Sequence, residues 1–267
     1  MILGSHDIAS DLRTLGISPG DGVFVHTALS QVGHVIGGPR GFIQGLIDAV
    51  GPSGLVGMPG FSTDAYDPVE LLGMDVSAEQ QDDIRRHVPG FDPRLSNARH
   101  NGSVPEAFRS WPGVRRSLHP TSSVLLLGPD AEALCHPHDP RGWPTGPQTP
   151  WGRLRSRPQM KLLLIGVGWN RCSALHAAES VAHHRRTVTR TLKLGTGPDA
   201  PWIQTPDVCD DLDRLFPLVG ADWEETGGVT AGMVGKAIAK VTEYDDLVGF
   251  ASDWISERNR ADGVRAS

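Results

Sequence analysis

With 267 residues, 39% of them apolar and 21% charged, the chain is long enough to bury a sizeable core in one large α/β domain. Its formal net charge of −6 and its lack of any basic block weigh against nucleic acid and anionic membranes as partners, and favour a cationic small molecule. Three scattered cysteines, Cys135, Cys172 and Cys209, fit neither a zinc spacing nor a disulfide framework, which points to the reducing cytoplasm; Met1 to Ser10 is too short and polar for a signal peptide, and no apolar run approaches a membrane span.

Ile8 to Leu15 predicts a short amphipathic helix, ended by the turn from Ser18 to Gly22. Val23 to His26 predicts a compact strand that empties into a polar loop of small residues, Thr27 to His34. Pro39 to Val50 predicts a helix, with proline suited to its first turn and Gly51-Pro52 to its end. Leu55 to Pro59 is a second strand, and strand–helix–strand alternation signals an α/β layer structure. Between Gly60 and Asn101 the regular pattern stops, apart from a helical stretch at Ser77 to His87. Acids crowd this insertion, among them Asp64, Asp67, Asp75, Asp82, Asp83 and Asp92. They read either as a solvated surface or as a binding wall, since long loops disproportionately carry function.

Val104 to Trp111 predicts a helix, Leu125 to Leu127 a strand and Asp130 to Leu134 a short helix. A Pro-rich loop runs from His136 to Trp151, and Gln148 to Trp151 begins the next helix. Leu162 to Ile165 is a buried strand, followed by Gly166-Val167-Gly168 and a helix carrying Ser173, His176 and Glu179. Their i, i+3, i+6 spacing places all three on one helix face where a strand ends, which is where sites form in open α/β sheets. Thr187 to Leu192 predicts a strand, Thr205 to Arg214 an acidic segment, Gly227 to Val241 a short helix, Leu247 to Ala251 an edge strand and Ala251 to Asn259 a terminal helix. Without repeats or linkers, residues 1–267 are expected to form a single domain with a loop-rich insertion at about 60–101.

Several chemistries are missing. There is no Walker loop, no three-glycine dinucleotide fingerprint and no Gly-x-Ser-x-Gly elbow. His136-Pro137-His138-Asp139 lacks a third ligand at helical or strand spacing, so no metal is expected. Cys172, four residues before His176, reads as a small buried residue rather than a nucleophile. His119-Pro120 reads either as a turn whose imidazole caps backbone carbonyls or as part of a ligand channel. What remains is His176, either a satisfied helix histidine or a general base with a carboxylate partner.

Four stretches carry a resemblance when taken in order: Val25 to Gly33 (VHTALSQVG), Phe91-Asp92-Pro93 with Asn101 to Arg109 (NGSVPEAFR), Arg115 to Pro120 (RRSLHP), and Leu175 to Glu179 (LHAAE), with Gly51 to Gly54 (GPSG) in support. Together they resemble the aminoglycoside 3-N-acetyltransferases, over roughly Ile8 to Trp254. The resemblance implies a three-layer α/β/α sandwich around a mixed central sheet, distinct from the usual acetyltransferase fold. It implies acetyl transfer from acetyl-CoA, without metal, to the 3-amino group of the 2-deoxystreptamine ring of an aminoglycoside, conferring resistance. His176 matches the family's histidine. Asp210, in the acidic segment, is the expected carboxylate partner, with Asp207, Asp211 and Asp213 as neighbours and Glu179 next in line. Thr27, Ser30, Gln31, Val32 and Gly33, with Ser117, His119, Ser122, Ser123 and Val124, resemble the family's coenzyme A contacts. Asp64, Tyr66, Asp67, Asp207 and Asp211 are expected at the acceptor. Another amine, such as a biosynthetic intermediate, is the alternative acceptor. Monomer and homodimer both stay open.

Overall fold

A computed structural model describes residues 2–209 and 214–266. In chain order its elements are β1 (Ile2–Leu3), α1 (Ser5–Thr14), β2 (Gly22–Thr27), α2 (Leu29–Val32), β3 (His34–Val35), α3 (Pro39–Val50), β4 (Leu55–Pro59), α4 (Pro68–Leu72), α5 (Ala78–His87), α6 (Ser103–Arg109), β5 (Arg115–Arg116) and β6 (Val124–Leu127). There follow α7 (Ala131–Cys135), α8 (Pro150–Arg155), β7 (Met160–Ile165), α9 (Ala174–Val181), β8 (Thr187–Lys193), β9 (Trp202–Val208), α10 (Phe216–Glu225), β10 (Thr230–Val234), β11 (Ala237–Glu243) and α11 (Tyr244–Ala261).

Seven strands form one mixed sheet in the order β10-β11-β7-β2-β4-β6-β5. The centre, β7-β2-β4, is parallel, with Gly22 opposite both Met160 and Leu55, and the flanks are antiparallel. The centre is covered on both faces, which is why its strands read as nearly unbroken apolar runs. Alternation divides β2 between two cores. Val23 and Val25 pack with Ile8, Phe42, Leu46 and Phe108 of α1, α3 and α6. Phe24 packs on the opposite face with Trp151, Leu175, Phe216 and Leu247 of α8 to α11. The result is the expected α/β/α sandwich. His26, two residues beyond Phe24, is thereby turned toward α9. At Gly45 on α3, a side chain would meet Ile8 Cβ at 2.6 Å, so glycine lets α1 and α3 close on each other.

The insertion is tied down by buried polar groups. Asp67 caps α4 through Val69 N–H at 2.9 Å and receives Nε and Nη2 of Arg85 at 2.8 and 2.6 Å. Lys193, buried in β8, donates from Nζ to the carbonyls of Arg85 and Val88 at the carboxyl end of α5, where a cation is favoured. Arg116 reaches the carbonyls of Gly60 and Ser96 at 2.6 and 2.5 Å. Among the described residues no helix is long and apolar enough to cross a membrane.

Three local expectations are corrected. The segment from Gly227 to Val241 is not a helix but the hairpin β10–β11, turning at Gly235 with φ +60°. Its Ala237, Ala239 and Val241 point inward and Ile238 outward, a period of two hidden by helix-favouring Ala and Lys. The proposed edge strand and terminal helix are one continuous helix, α11, whose buried Leu247, Val248, Ala251 and Ile255 follow helical spacing. The loop after β2 contains a helical turn, α2, and the front of the acidic segment lies in β9, paired to β8.

Candidate active site

A cavity of about 570 Å³ opens at the carboxyl ends of the parallel strands. β2 brings His26 and Thr27 to it, β4 brings Pro59, and α9 brings His176 with Ser173 just before its first turn. The start of α9 is docked onto β2: Ser173 N–H donates to His26 Nε2 at 3.3 Å. Its middle is held by Thr145, whose Oγ1 donates to the His176 carbonyl at 2.9 Å and shares a hydrogen bond with Ser180 Oγ at 2.6 Å. The turn Trp169–Arg171 that precedes α9 is wedged against α10 at Gly220. A side chain there would meet the indole at 2.0 Å.

His176 and Glu179 sit one helical turn apart, and Nδ1 of the ring donates to Oε2 at 2.8 Å. Their side chains are only 10% and 6% exposed. Phe61 and Phe216 flank the imidazole, with ring centroids at 6.3 and 5.1 Å. In such low-dielectric surroundings a hydrogen bond between an imidazole and a carboxylate is stronger than in water. It also fixes which nitrogen carries the proton.

Three further histidines, His26, His119 and His138, are held neutral by burial. Burial, reinforced by the charge of His176, pushes the His26 pKa down to about 3. Burial pushes His138 down to about 4 and, with His138 beside it, holds His119 well below the usual range. His119 caps a turn, but it caps amides and not carbonyls: Nδ1 accepts the N–H groups of Thr121 and Ser122 at 3.3 and 3.1 Å. It thereby shapes a turn whose Thr121 and Ser122 both line the cavity. His138 uses both ring nitrogens, Nδ1 with Ser117 Oγ at 2.9 Å and Nε2 with the Pro144 carbonyl at 2.7 Å.

Only some of the expected contacts meet here. Thr27 and Ser122 line the cavity, and Thr27 Oγ1 is sealed there without a partner among the described residues. Ser30 and Gly33 border a separate depression of about 420 Å³. Gln31 is exposed, and Val32 is a core residue. Ser117, Ser123 and Val124 are buried in the framework: Ser117 Oγ takes the Val124 amide, and Ser123 Oγ donates to the Gly60 carbonyl. Tyr66 and Asp207 reach the wall, where Arg190 lies 3.7 Å from the Asp207 carboxylate and over the Tyr66 ring. Asp64 and Asp67 are not among the cavity's lining residues; Asp67 is 1% exposed and serves α4 and Arg85. Asp210, Asp211 and Asp213 lie outside the described residues.

The structure adds His26, Phe61, His100, Asn101, Thr145 and Arg171 to the wall. His26 had one sequence signal, a polar side chain on the Phe24 face at the end of an apolar strand. A larger apolar groove of about 810 Å³, with Phe91, Leu118 and Pro120 on its walls, includes none of the strand-end residues.

A buried imidazole–carboxylate pair at the carboxyl edge of a mixed sheet defines an α/β enzyme equipped for proton transfer. The model of the aminoglycoside 3-N-acetyltransferase family matches residues 24–256, and the chain belongs to that family; it is an acetyltransferase. Aminoglycoside N(3)-acetyltransferase IX of Micromonospora chalcea is 33% identical over 265 residues, covering 94% of this chain and 92% of the relative. The crystal structure of aminoglycoside acetyltransferase AAC(3)-Xa superposes with a TM-score of 0.87 at 32% identity, covering 96% of this chain and 93% of that one. AAC-IIIb, solved as a binary complex with CoASH, superposes with a TM-score of 0.84 at 28% identity, covering 97% and 98%.

Proposed function

We propose that this enzyme transfers the acetyl group of acetyl-CoA to the 3-amino group of the 2-deoxystreptamine ring of aminoglycosides and so confers resistance, with His176 as general base and Glu179 as its carboxylate partner. The observation that carries this is the 2.8 Å bond from His176 Nδ1 to Glu179, buried beside the cavity at the strand ends. Acetyl-CoA supplies an activated thioester. The site fits such a group in one respect that the chain itself shows: Thr27 keeps a sealed, unpartnered hydroxyl at the cavity, beside the polar turn Thr121–Ser122.

An aliphatic amine is mostly protonated near neutral pH and attacks only when neutral. With Nδ1 committed to Glu179, Nε2 is the position from which His176 takes the amine's proton. Glu179 then faces an imidazolium and stabilises it. Phe61 and Phe216 keep the pair dry, which strengthens that attraction. Tyr66 and Asp207 bring a ring and a carboxylate to the same cavity, where an amino sugar would meet them.

The decisive experiment measures thiol release from acetyl-CoA over a panel of aminoglycosides and simple amines, with the acetylated nitrogen located by NMR. Acetylation at the 3-amino group of several aminoglycosides is expected. One observation favours the alternative amine: Asp207 is the sole carboxylate residue among the cavity's described lining residues, and Arg190 stands beside it. Turnover of simple amines without turnover of aminoglycosides would establish that alternative.

A further inference from the structure

His26 takes no part in the pair of His176 and Glu179, yet it sits in the same cavity. Its Nε2 accepts the Ser173 amide, so the ring's proton resides on Nδ1. Among the described residues Nδ1 has no hydrogen-bond partner, and it is not one of the unpartnered polar atoms sealed from solvent. In a residue only 5% exposed that lines the cavity, the surface Nδ1 keeps is cavity surface. The ring is also held by its surroundings. It projects from a strand paired on both sides of its start, packs against Phe24 at 5.6 Å and is pinned by the start of α9. Burial and the neighbouring His176 oppose a second proton. The result is a neutral imidazole of fixed tautomer, offering one N–H to the cavity and nothing else.

We infer that His26 is a catalytic residue that donates its Nδ1–H to the thioester carbonyl oxygen as negative charge develops there. This rests on His176 acting as the base in the same cavity. The lone pair of the amine forms the C–N bond, the carbonyl π pair moves onto oxygen, and the nitrogen's proton goes to His176 Nε2. When that pair returns from oxygen, the C–S bond breaks and the leaving thiolate takes the proton from the His176 imidazolium. His26 gains and loses no proton at either step. Its neutrality is required, because a second imidazolium beside His176 would oppose formation of the first. A rigid donor costs no reorganisation when the charge appears, and one such donor typically carries about 10²–10³ in kcat.

The test compares His26→Phe, His26→Asn and His26→Gln with the wild-type enzyme and His176→Ala, all as the full chain. Phenylalanine keeps the packing and removes the donor. Asparagine places an amide N–H near the position of Nδ1, and glutamine places its amide near that of Nε2. His26→Phe should lose about 10²–10³ in kcat with KM for acetyl-CoA within about threefold of wild type. His26→Asn should recover at least about tenfold of that loss and His26→Gln should not, while the pH profile of kcat keeps its shape throughout. A folded His26→Phe with near wild-type kcat would overturn the inference. So would equal slowness of the Phe and Asn variants, which marks packing, or a loss confined to KM. Should His26→Phe fail to fold, the order of Asn over Gln decides alone. His176→Ala separates the two assignments: an active His176→Ala removes the base, whereas a crippled one beside unimpaired His26 variants removes only the donor.

Discussion

His176 and Glu179 are the residues whose replacement reads most directly on the chemistry. His176→Ala should lower kcat by roughly 10²–10⁴-fold while leaving CoA affinity and the fold intact, the usual weight of a general base. In Glu179→Gln the amide oxygen can still accept the hydrogen bond from Nδ1–H but carries no charge to stabilise an imidazolium, so its loss should also fall on kcat. A silent Glu179→Gln together with a crippled Asp210→Asn would move the carboxylate into the acidic segment after β9, as the family resemblance first suggested. The histidine was legible because a helix at a strand end displays its polar face at regular spacing. Its partner was harder. Glu179 lies in the same motif as His176, but its i, i+3 spacing looks the same whether a pair is buried or solvated. His26 was harder still, since one polar residue closing an apolar strand carries no periodic signature. Only the pairing of β2 with β7 brings it beside Ser173.

At the scale of elements, the insertion shows how acidity misleads. Its acids look like a wall for a polycation, but Asp67 is buried under Arg85 and caps α4. Asp67→Ala would uncap the helix and take from Arg85, which is 27% exposed and keeps Glu70 at 3.9 Å, its closest partner. It should cost about 1–3 kcal/mol in chemical denaturation, the range for losing a helix cap and a charged hydrogen bond. An effect on acceptor KM without that loss of stability would return Asp67 to the binding wall. The parallel centre of the sheet was readable from composition and periodicity, because strands covered on both faces must be apolar throughout. The hairpin β10–β11 was not. Its outward positions include Lys240, and its apolar side is built largely from alanine, so helix propensity outweighed a faint alternation. For α11 the error was one of length: Leu247 to Ala251 is a short apolar run, and only the extension to Ile255 and Asn259 reveals the helical repeat.

For the whole molecule, three buried neutral histidines make stability depend on pH. In the folded chain His26 and His138 titrate at about 3 and about 4, and His119 well below its ordinary value. The unfolded chain therefore binds more protons between those values and about 6.5, and stability falls as the pH drops through that window. For His138 alone the limiting loss is roughly 3 kcal/mol, at about 1.4 kcal/mol per pH unit. Thermal melts should show Tm declining from pH 7 to pH 5, with a shallower decline in His138→Asn. A flat Tm over that range would contradict the neutral burial of these rings. Net charge gives a second whole-molecule expectation. A chain of charge −6 attracts a polyammonium substrate through a field that fades beyond about 10 Å at 0.1 M salt and about 3 Å at 1 M. The KM for an aminoglycoside should therefore climb with salt while that for acetyl-CoA stays level or falls. A flat acceptor KM would remove long-range attraction as a source of affinity.

The junction between His26 and Ser173 also has a consequence for how the molecule is made. The two residues are 147 positions apart, and Gly235 closes onto the Asp11 carboxylate across 224. On a ribosome adding about 5–20 residues per second, β2 waits roughly 7–30 s before the segment that completes its pairing is synthesised. Throughout that interval a central strand of the sheet has one edge that its own partner strand cannot yet cover, a template for pairing with another chain. The site is consequently among the last features to exist, because parallel strands joined across so long a loop pay their closure entropy before any contact repays it. An enzyme of this kind therefore gains its site only once its later strands have left the ribosome, a delay set by topology rather than by turnover.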